Sequence, residues 1–302
     1  MPSTVTLAGT LRKMRAEVTE PTATDAMDSS DVQYHVVLAD SDDPKIRYTQ
    51  HLNPFLGGYV ELNWSGLIRC QHCNRKSRKS YGQGYCYPCF TRLAQCDTCM
   101  MAPERCHFHL GTCREPVWAE QVCFQPHLVY LSNTSGLKVG ITRATQLPVR
   151  WLDQGASQAI VLAGVSNRRL SGEVEDKIRQ QMSDKTNWRQ LLKQKPAPVD
   201  LVDIRNTLIQ EQGVEIQALA EPYGPEALQW NWVGPYSFSY PVLAYPTKVS
   251  SFNLDKTAQI AGRLMGIKGQ YLILDRGVIN LRRFSGYEVS LNLQPTETEC
   301  RQ

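Results

Sequence analysis

The 302-residue chain has no apolar run approaching the roughly 18 residues that a membrane-spanning helix needs. Its first residues, MPSTVTLAGTLRKM, lack the charged start and continuous apolar core of a secretion signal. These two absences argue against a membrane partner and predict a soluble, cytoplasmic chain. Cysteine is scarce outside one stretch: eight of the ten lie between Cys70 and Cys113, leaving only Cys123 and Cys300. A disulfide framework belongs to small secreted domains, so these thiols call for another explanation. Acids are missing from NRKSRKSYGQGY (74–85), which falls inside the cysteine-rich stretch.

The charge that is present is unevenly placed. Residues 1–69 carry a net −3, residues 70–200 a net +8 and residues 201–302 a net −1. A basic centre between mildly acidic flanks suits a polyanion such as DNA or RNA, although a solvated basic face would look the same. The length allows two or three packed modules.

Cys70-x2-Cys73 and Cys86-x2-Cys89 have the spacing of paired metal knuckles, since two thiolates from one tight turn can meet half of a tetrahedral shell. Zinc suits four sulfurs without redox chemistry, and an iron–sulfur cluster is the rival reading. A second site is expected from Cys96, Cys99, Cys106 and Cys113, with His107 or His109 able to replace a cysteine. Both zinc ions would be structural, because a closed four-ligand shell leaves no position for substrate. Between the first two knuckles, Arg75, Lys76, Arg78 and Lys79 are followed by Tyr81, Tyr85, Tyr87 and Phe90. Cations for phosphates beside aromatic faces for bases predict a nucleic-acid surface.

HLVYLSNTSGLKVGITR (127–143) reads as a β-hairpin. Alternation places Val129, Leu131, Leu137, Val139 and Ile141 on one face, and Tyr130, Lys138, Gly140 and Thr142 on the other. LPVRWLDQG (147–155) then predicts a short helix, AIVLAGV (159–165) a buried strand, and SGEVEDKIRQQM (171–182) a helix capped by Ser171.

That order of hairpin, helix with arginine, strand and helix with glutamate resembles the GIY-YIG nuclease superfamily. VYL (129–131) is similar to its first motif, and KVG (138–140) to its second in the branch carrying Lys-Ile-Gly. The resemblance implies that Tyr130 activates or positions a water, that Lys138 and Arg150 stabilise phosphoryl charge, and that Glu175 holds Mg²⁺. Glu173 competes with Glu175 for the last role. Gly140 would let a phosphate approach the backbone. The whole chain also resembles an uncharacterised bacterial family that joins such a cysteine cluster to this segment.

The chain ends echo each other. LNPFLGGYVELN (52–63) aligns without gaps on LRRFSGYEVSLN (281–292), preceded by LAGTL (7–11) with IAGRL (260–264) and QYHVVL (33–38) with QYLIL (270–274). Each unit is too small to bury its own apolar face, so the two should pack as one six-stranded antiparallel domain. The expected class is therefore α+β, with a discontinuous β-domain from both ends (1–65 and 236–302). Inserted between its halves are a zinc module (66–123), a GIY-YIG-like αβ module (124–198) and a helical linker (199–235). EPTATDAMDSSD (20–31) reads as a loop. Deleting 236–302 should unfold the N-terminal unit and leave the centre soluble. Three function classes follow: a Mg²⁺-dependent nuclease, a non-catalytic nucleic-acid binder, and a protein-interaction adaptor that docks through its knuckles.

Overall fold

A computed structural model describes residues 3–18, 29–230 and 233–296. The fold is mixed α+β and is dominated by a large antiparallel sheet built from both chain ends. The N-terminal part contributes β1 (Val5–Leu11), β2 (Arg15–Val18), β3 (Ser30–Ala39), β4 (Arg47–His51) and β5 (Tyr59–Ile68). The cysteine-rich segment holds α1 (Tyr87–Arg92) and α2 (Pro116–Val122). The centre follows with β6 (His127–Asn133), β7 (Leu137–Arg143), α3 (Val149–Gln154), β8 (Gln158–Val165), α4 (Arg168–Arg179), α5 (Trp188–Leu191) and α6 (Leu201–Ala220). The chain closes with β9 (Leu228–Trp230), β10 (Tyr236–Ser239), β11 (Gln259–Lys268), β12 (Tyr271–Leu274), β13 (Gly277–Asn280) and β14 (Tyr287–Gln294).

The terminal strands alternate as one-sided sheets must. Val32, Tyr34, Val36 and Leu38 of β3, and Tyr287, Val289, Leu291 and Leu293 of β14, turn inward while their neighbours face outward. Strand order runs β12-β11-β5-β14-β1-β3, so the two units are interleaved rather than set side by side. β5 and β14 form the central pair, with Leu62 opposite Leu291. These two leucines are equivalent in the gapless alignment, so an approximate two-fold axis passes between them. The outer pairs obey the same symmetry. Ala8 opposes Ser290 between β1 and β14, and their counterparts Ala261 and Glu61 oppose each other between β11 and β5. Each unit thus gives its last strand to the other unit's first strand, and neither closes its core alone. Phe55 and Phe284, on the equivalent single turns before β5 and β14, are both buried in that core.

The central strands are joined to this sheet. β10 pairs antiparallel with β8 (Tyr236 opposite Ala159) and parallel with β3 (Phe238 opposite Ser30). The core is shared as well. Tyr130, Trp151, Leu152, Ala156, Ala159 and Val161 lie in the same buried cluster as the terminal strands. Trp151 sits at the junction, its ring 5.9 Å from Tyr130, 5.2 Å from Tyr236 and 6.1 Å from Phe238. The outward face of the hairpin, with Val129, Leu131 and Val139, packs in a second cluster against α4 and α6.

Local details follow from side-chain chemistry. Asp200 caps α6 by accepting from the amides of Val202 and Asp203, directly after the proline-containing 195–200 segment. α3 stops at Gly155, whose φ of 69° is the left-handed geometry of a helix end. α4 begins earlier than expected from Ser171. Asn167 caps it, accepting from the Leu170 amide at 3.0 Å, and Ser171 lies within its first turn. The loop expected at 20–31 falls largely outside the described residues, and its last two open β3.

Candidate functional site

The paired cysteine knuckles form at the end of β5. The Cys70 amide bonds the Arg75 carbonyl at 2.9 Å, and Asn74 turns the chain with a left-handed φ of 57°. Asparagine tolerates that conformation better than most residues. A second reversal between Tyr81 and Tyr85 leads into Cys86 and α1. The sulfurs of Cys70, Cys73, Cys86 and Cys89 all lie within 4.8 Å of one another, a group that could hold one metal ion such as zinc. Cys73 and Cys86 are 3.7 Å apart. Four sulfurs about 2.3 Å from a tetrahedral ion stand roughly 3.8 Å from each other, whereas a disulfide would require about 2.05 Å. Burial opposes ionisation of the Cys70 thiol. Backbone N–H groups of Cys73, Cys86 and His72 aimed at its sulfur nonetheless bring its pKa down to about 7.

The second expected group is distributed differently. Cys96 packs beside the first cluster. Cys99 lies within 4.8 Å of His107 and Asp97, while Cys106 and Cys113 line a small cavity with Cys99. His109 instead accompanies Arg169, 3.1 Å away.

Arg75, Lys76, Arg78 and Lys79 are all exposed on the first knuckle. Among the described residues, none of the four makes an ion pair. Tyr81 lies 5.5 Å from Tyr87 and 6.0 Å from Phe90, giving an aromatic cluster beside the cations, with Tyr87 exposed. Tyr85 turns inward against the cysteines.

The hairpin brings a second set of groups together. β6 and β7 place Tyr130 opposite Gly140 and Ser132 opposite Lys138. The phenol ring covers Gly140 so closely that a Cβ there would stand 2.7 Å from the Tyr130 hydroxyl. Gly140 therefore makes room for Tyr130, a different reason for a glycine than an approaching phosphate. The fully buried Tyr130 hydroxyl donates to Gln154 Oε1 at 2.9 Å and hydrogen-bonds Arg150. Arg150 on α3, Lys138 on β7 and Glu175 on α4 all feel one another's charge. Burial, reinforced by Asp184, pushes the Glu175 carboxyl up to about 7. Burial and the Arg150 charge push the Lys138 amine down to about 8. The Nε of Arg150 is buried without a hydrogen-bond partner. Glu173 is engaged elsewhere, with Arg169 at 2.9 Å and the Tyr223 hydroxyl at 3.0 Å. Glu175 is thus the glutamate that faces the cluster.

Other neighbours of the cluster were not visible from spacing. Arg282, from the turn before β14, lies near Arg150 and donates to Gln83 Oε1 of the basic knuckle at 2.7 Å. It links the knuckle to the hairpin cluster from 199 residues further along the chain.

Among the described residues, no helix is long and apolar enough to cross a membrane. A sequence profile described as "Protein of unknown function (DUF2797)" matches residues 57–289, most of the chain. No curated protein and no solved structure matches significantly.

Proposed function

Because the chain belongs to the DUF2797 family, whose description assigns no activity, we propose its function from its own geometry: it binds nucleic acid on a zinc knuckle and acts on phosphodiesters at a Mg²⁺-dependent site formed by Lys138, Arg150 and Glu175. The observation that carries this reading is the convergence of those three groups, from three separate elements, as desolvated charges with displaced pKa values. Stability alone rewards neither an unpaired Arg150 Nε nor a carboxyl held near 7, whereas a site awaiting a phosphate and a cation uses both. Zinc is the ion assigned to Cys70, Cys73, Cys86 and Cys89. The exposed Arg75, Lys76, Arg78 and Lys79 take backbone phosphates, and the neighbouring aromatics stack bases.

At the second site Arg150 and Lys138 neutralise phosphoryl oxygens, and Glu175 is the ligand for Mg²⁺. A hard cation suits a carboxylate with Asp184 nearby, and when bound it supplies Lewis-acid polarisation of the phosphoryl group. The Tyr130 hydroxyl is already engaged by Gln154 and Arg150, so it positions Arg150 through their hydrogen bond.

The test uses full-length protein, Mg²⁺ and labelled DNA and RNA, each single- and double-stranded. Wild type should cleave at least one substrate, and Glu175→Gln should slow it by about 10²-fold or more while binding persists. Alanine at Arg75, Lys76, Arg78 and Lys79 should weaken binding and flatten its salt dependence by up to about 0.9 per lost contact on duplex DNA. Binding without cleavage would remove the phosphodiester site and leave a nucleic-acid binder. Absence of both would favour the adaptor reading, for which Met101, Leu110, Val117 and Phe124 offer exposed apolar side chains within one segment.

Glu175 also makes a stability prediction. Its folded pKa is raised from 4.5 to about 7, so the fold favours the protonated form. The corresponding stability is present below the unfolded pKa and is lost as pH rises through about 7. Glu175→Gln should therefore match wild type near pH 4.5 and exceed it at pH 8, by up to about 3 kcal/mol. Urea unfolding at the two pH values measures this. A variant less stable than wild type at pH 8 would make Glu175 a structural partner of Arg150 and Lys138 rather than a ligand in waiting.

A further inference from the structure

The cysteines between residues 96 and 123 do not divide as their spacing suggests. A small cavity of about 20 Å³, roughly the space of one water-sized sphere, lies between α2 and the loop after α1. Cys99, Cys106, Cys113 and Cys123 all line it, together with His107 and Trp118. Cys96 does not line it, since its side chain packs on Cys70, Cys86 and Cys89. Cys99 is close enough to Cys106 and Cys123 to feel their charge, and Cys123 likewise feels Cys106 and Cys113.

We propose a second metal site, for a soft divalent ion such as zinc, held by the sulfurs of Cys99, Cys106, Cys113 and Cys123. Three surrounding groups fit four thiolates here. His107 is occupied at both nitrogens, with Nδ1 2.7 Å from the Thr112 hydroxyl and Nε2 3.4 Å from Asp97 Oδ2. Asp97 in turn accepts from Arg114 Nε at 2.9 Å and from the Thr98 amide at 2.6 Å. These two residues stand within 4.8 Å of the Cys99 sulfur and brace the loop around it, while Cys106, Cys113 and Cys123 line the same cavity and would close on the ion together with Cys99. The third group is Arg168. Its guanidinium feels the charge of both Cys123 and Cys99, and its Nε is buried with no hydrogen-bond partner. A cation with an unused donor beside two thiols is the partner a metal-bound thiolate requires.

The site would act as a strut. The Arg168 amide, at the start of α4, donates to the Cys123 carbonyl at 2.8 Å, and its side chain donates to the Met100 carbonyl at 2.7 Å. One turn later the α4 backbone passes so close to the loop that a Cβ on Gly172 would stand 2.6 Å from the Glu104 nitrogen. An ion held by Cys99 and Cys123 therefore fastens the loop to the end of α2, where the Cys123 carbonyl already accepts from the first residue of the helix that carries Glu175. The ligand set itself is independent of any catalytic role for Glu175.

The test is metal content and thiol protection of full-length protein. Wild type should bind two zinc ions, Cys123→Ser one, and Cys96→Ser two. Because Cys123→Ser could misfold, wild type is also labelled with iodoacetamide and mapped by mass spectrometry. In the zinc-loaded protein Cys96 should label at least ten times faster than Cys99, Cys106, Cys113 or Cys123, and chelation should abolish the difference. A wild type with a single ion, a Cys96→Ser variant with one, or a Cys123 that labels as fast as Cys96 would overturn the assignment.

Discussion

If the Cys70, Cys73, Cys86 and Cys89 group holds zinc as proposed, removing the ion should unfold residues 69–93 outright. Structural zinc contributes about 10–16 kcal/mol to folding at neutral pH, which exceeds or equals the whole stability of a typical domain. Nothing else in the segment could replace it. Its buried cluster consists of three of the four cysteines and Leu93, with only Tyr85 and Cys96 packed against them. Without a cation, four sulfurs within 4.8 Å cannot ionise together: backbone N–H groups favour the thiolate at Cys70, while burial pushes the thiols of Cys86 and Cys89 upward. Treatment with a strong chelator at pH 7.5 should therefore open the knuckles to protease between residues 75 and 92. Nucleic-acid binding should be lost in parallel, and far-UV circular dichroism from the sheet should change little. Cys73→Ser should behave like the chelated protein. Continued protease resistance of this segment after metal removal would show that the cysteines are not its scaffold.

The parts of this architecture legible in sequence were those encoded locally. Cys-x2-Cys twice over requires only two tight turns to become four converging sulfurs. The terminal duplication was legible because its pairs are residue-specific: Leu62 and Leu291 align in sequence and oppose each other in the sheet. Interleaving was not legible, since the alternation of apolar residues says which face is buried but not which strand lies alongside. β10 was invisible for a different reason. Its four residues, YSFS, lie among prolines and aromatics and carry too short a pattern to distinguish a strand from a loop. Yet those residues connect two sheets.

The candidate site shows the same division. Tyr130, Lys138, Arg150 and Glu175 lie in a stretch of some fifty residues with a recognisable order, so their proximity could be anticipated. Gly140 could not be interpreted without the phenol that covers it, and the choice between Glu173 and Glu175 rested on Tyr223, fifty residues away. Arg282 and Gln83 meet only because the terminal strands close around the centre. Cys96 and Cys99 share a motif but face opposite clusters, since the short turns between them rotate one thiol away from the other.

A chain ending at residue 235 should fail to fold as a whole, the central hairpin included. Sequence alone predicts that losing 236–302 costs only the N-terminal unit and leaves the central module soluble. The shared core argues otherwise. Fourteen of the thirty-two buried side chains in that core come from residues after 235, among them Phe238, Leu264, Phe284 and Leu291. Burying one such side chain contributes about 1.5–3 kcal/mol, so losing even a handful exceeds a typical domain's net stability of about 5–15 kcal/mol. The losses also fall on both sides of the junction. Without β14, β1 and β5 each lose a neighbour, and without β10, β8 and β3 are left with unpaired edges. Trp151 would lose Tyr236 and Phe238 from its ring contacts and keep only Tyr130, whose hydroxyl orients Arg150. Hydrogen exchange on the truncated chain is the decisive measurement. Amides of β6 and β7 should exchange as fast as those of β1 and β3, and supplying residues 236–302 as a separate chain should restore protection to both sets together. Strong protection of β6 and β7 in the truncated chain alone would mean that the hairpin, α3 and α4 hold their arrangement without the terminal strands.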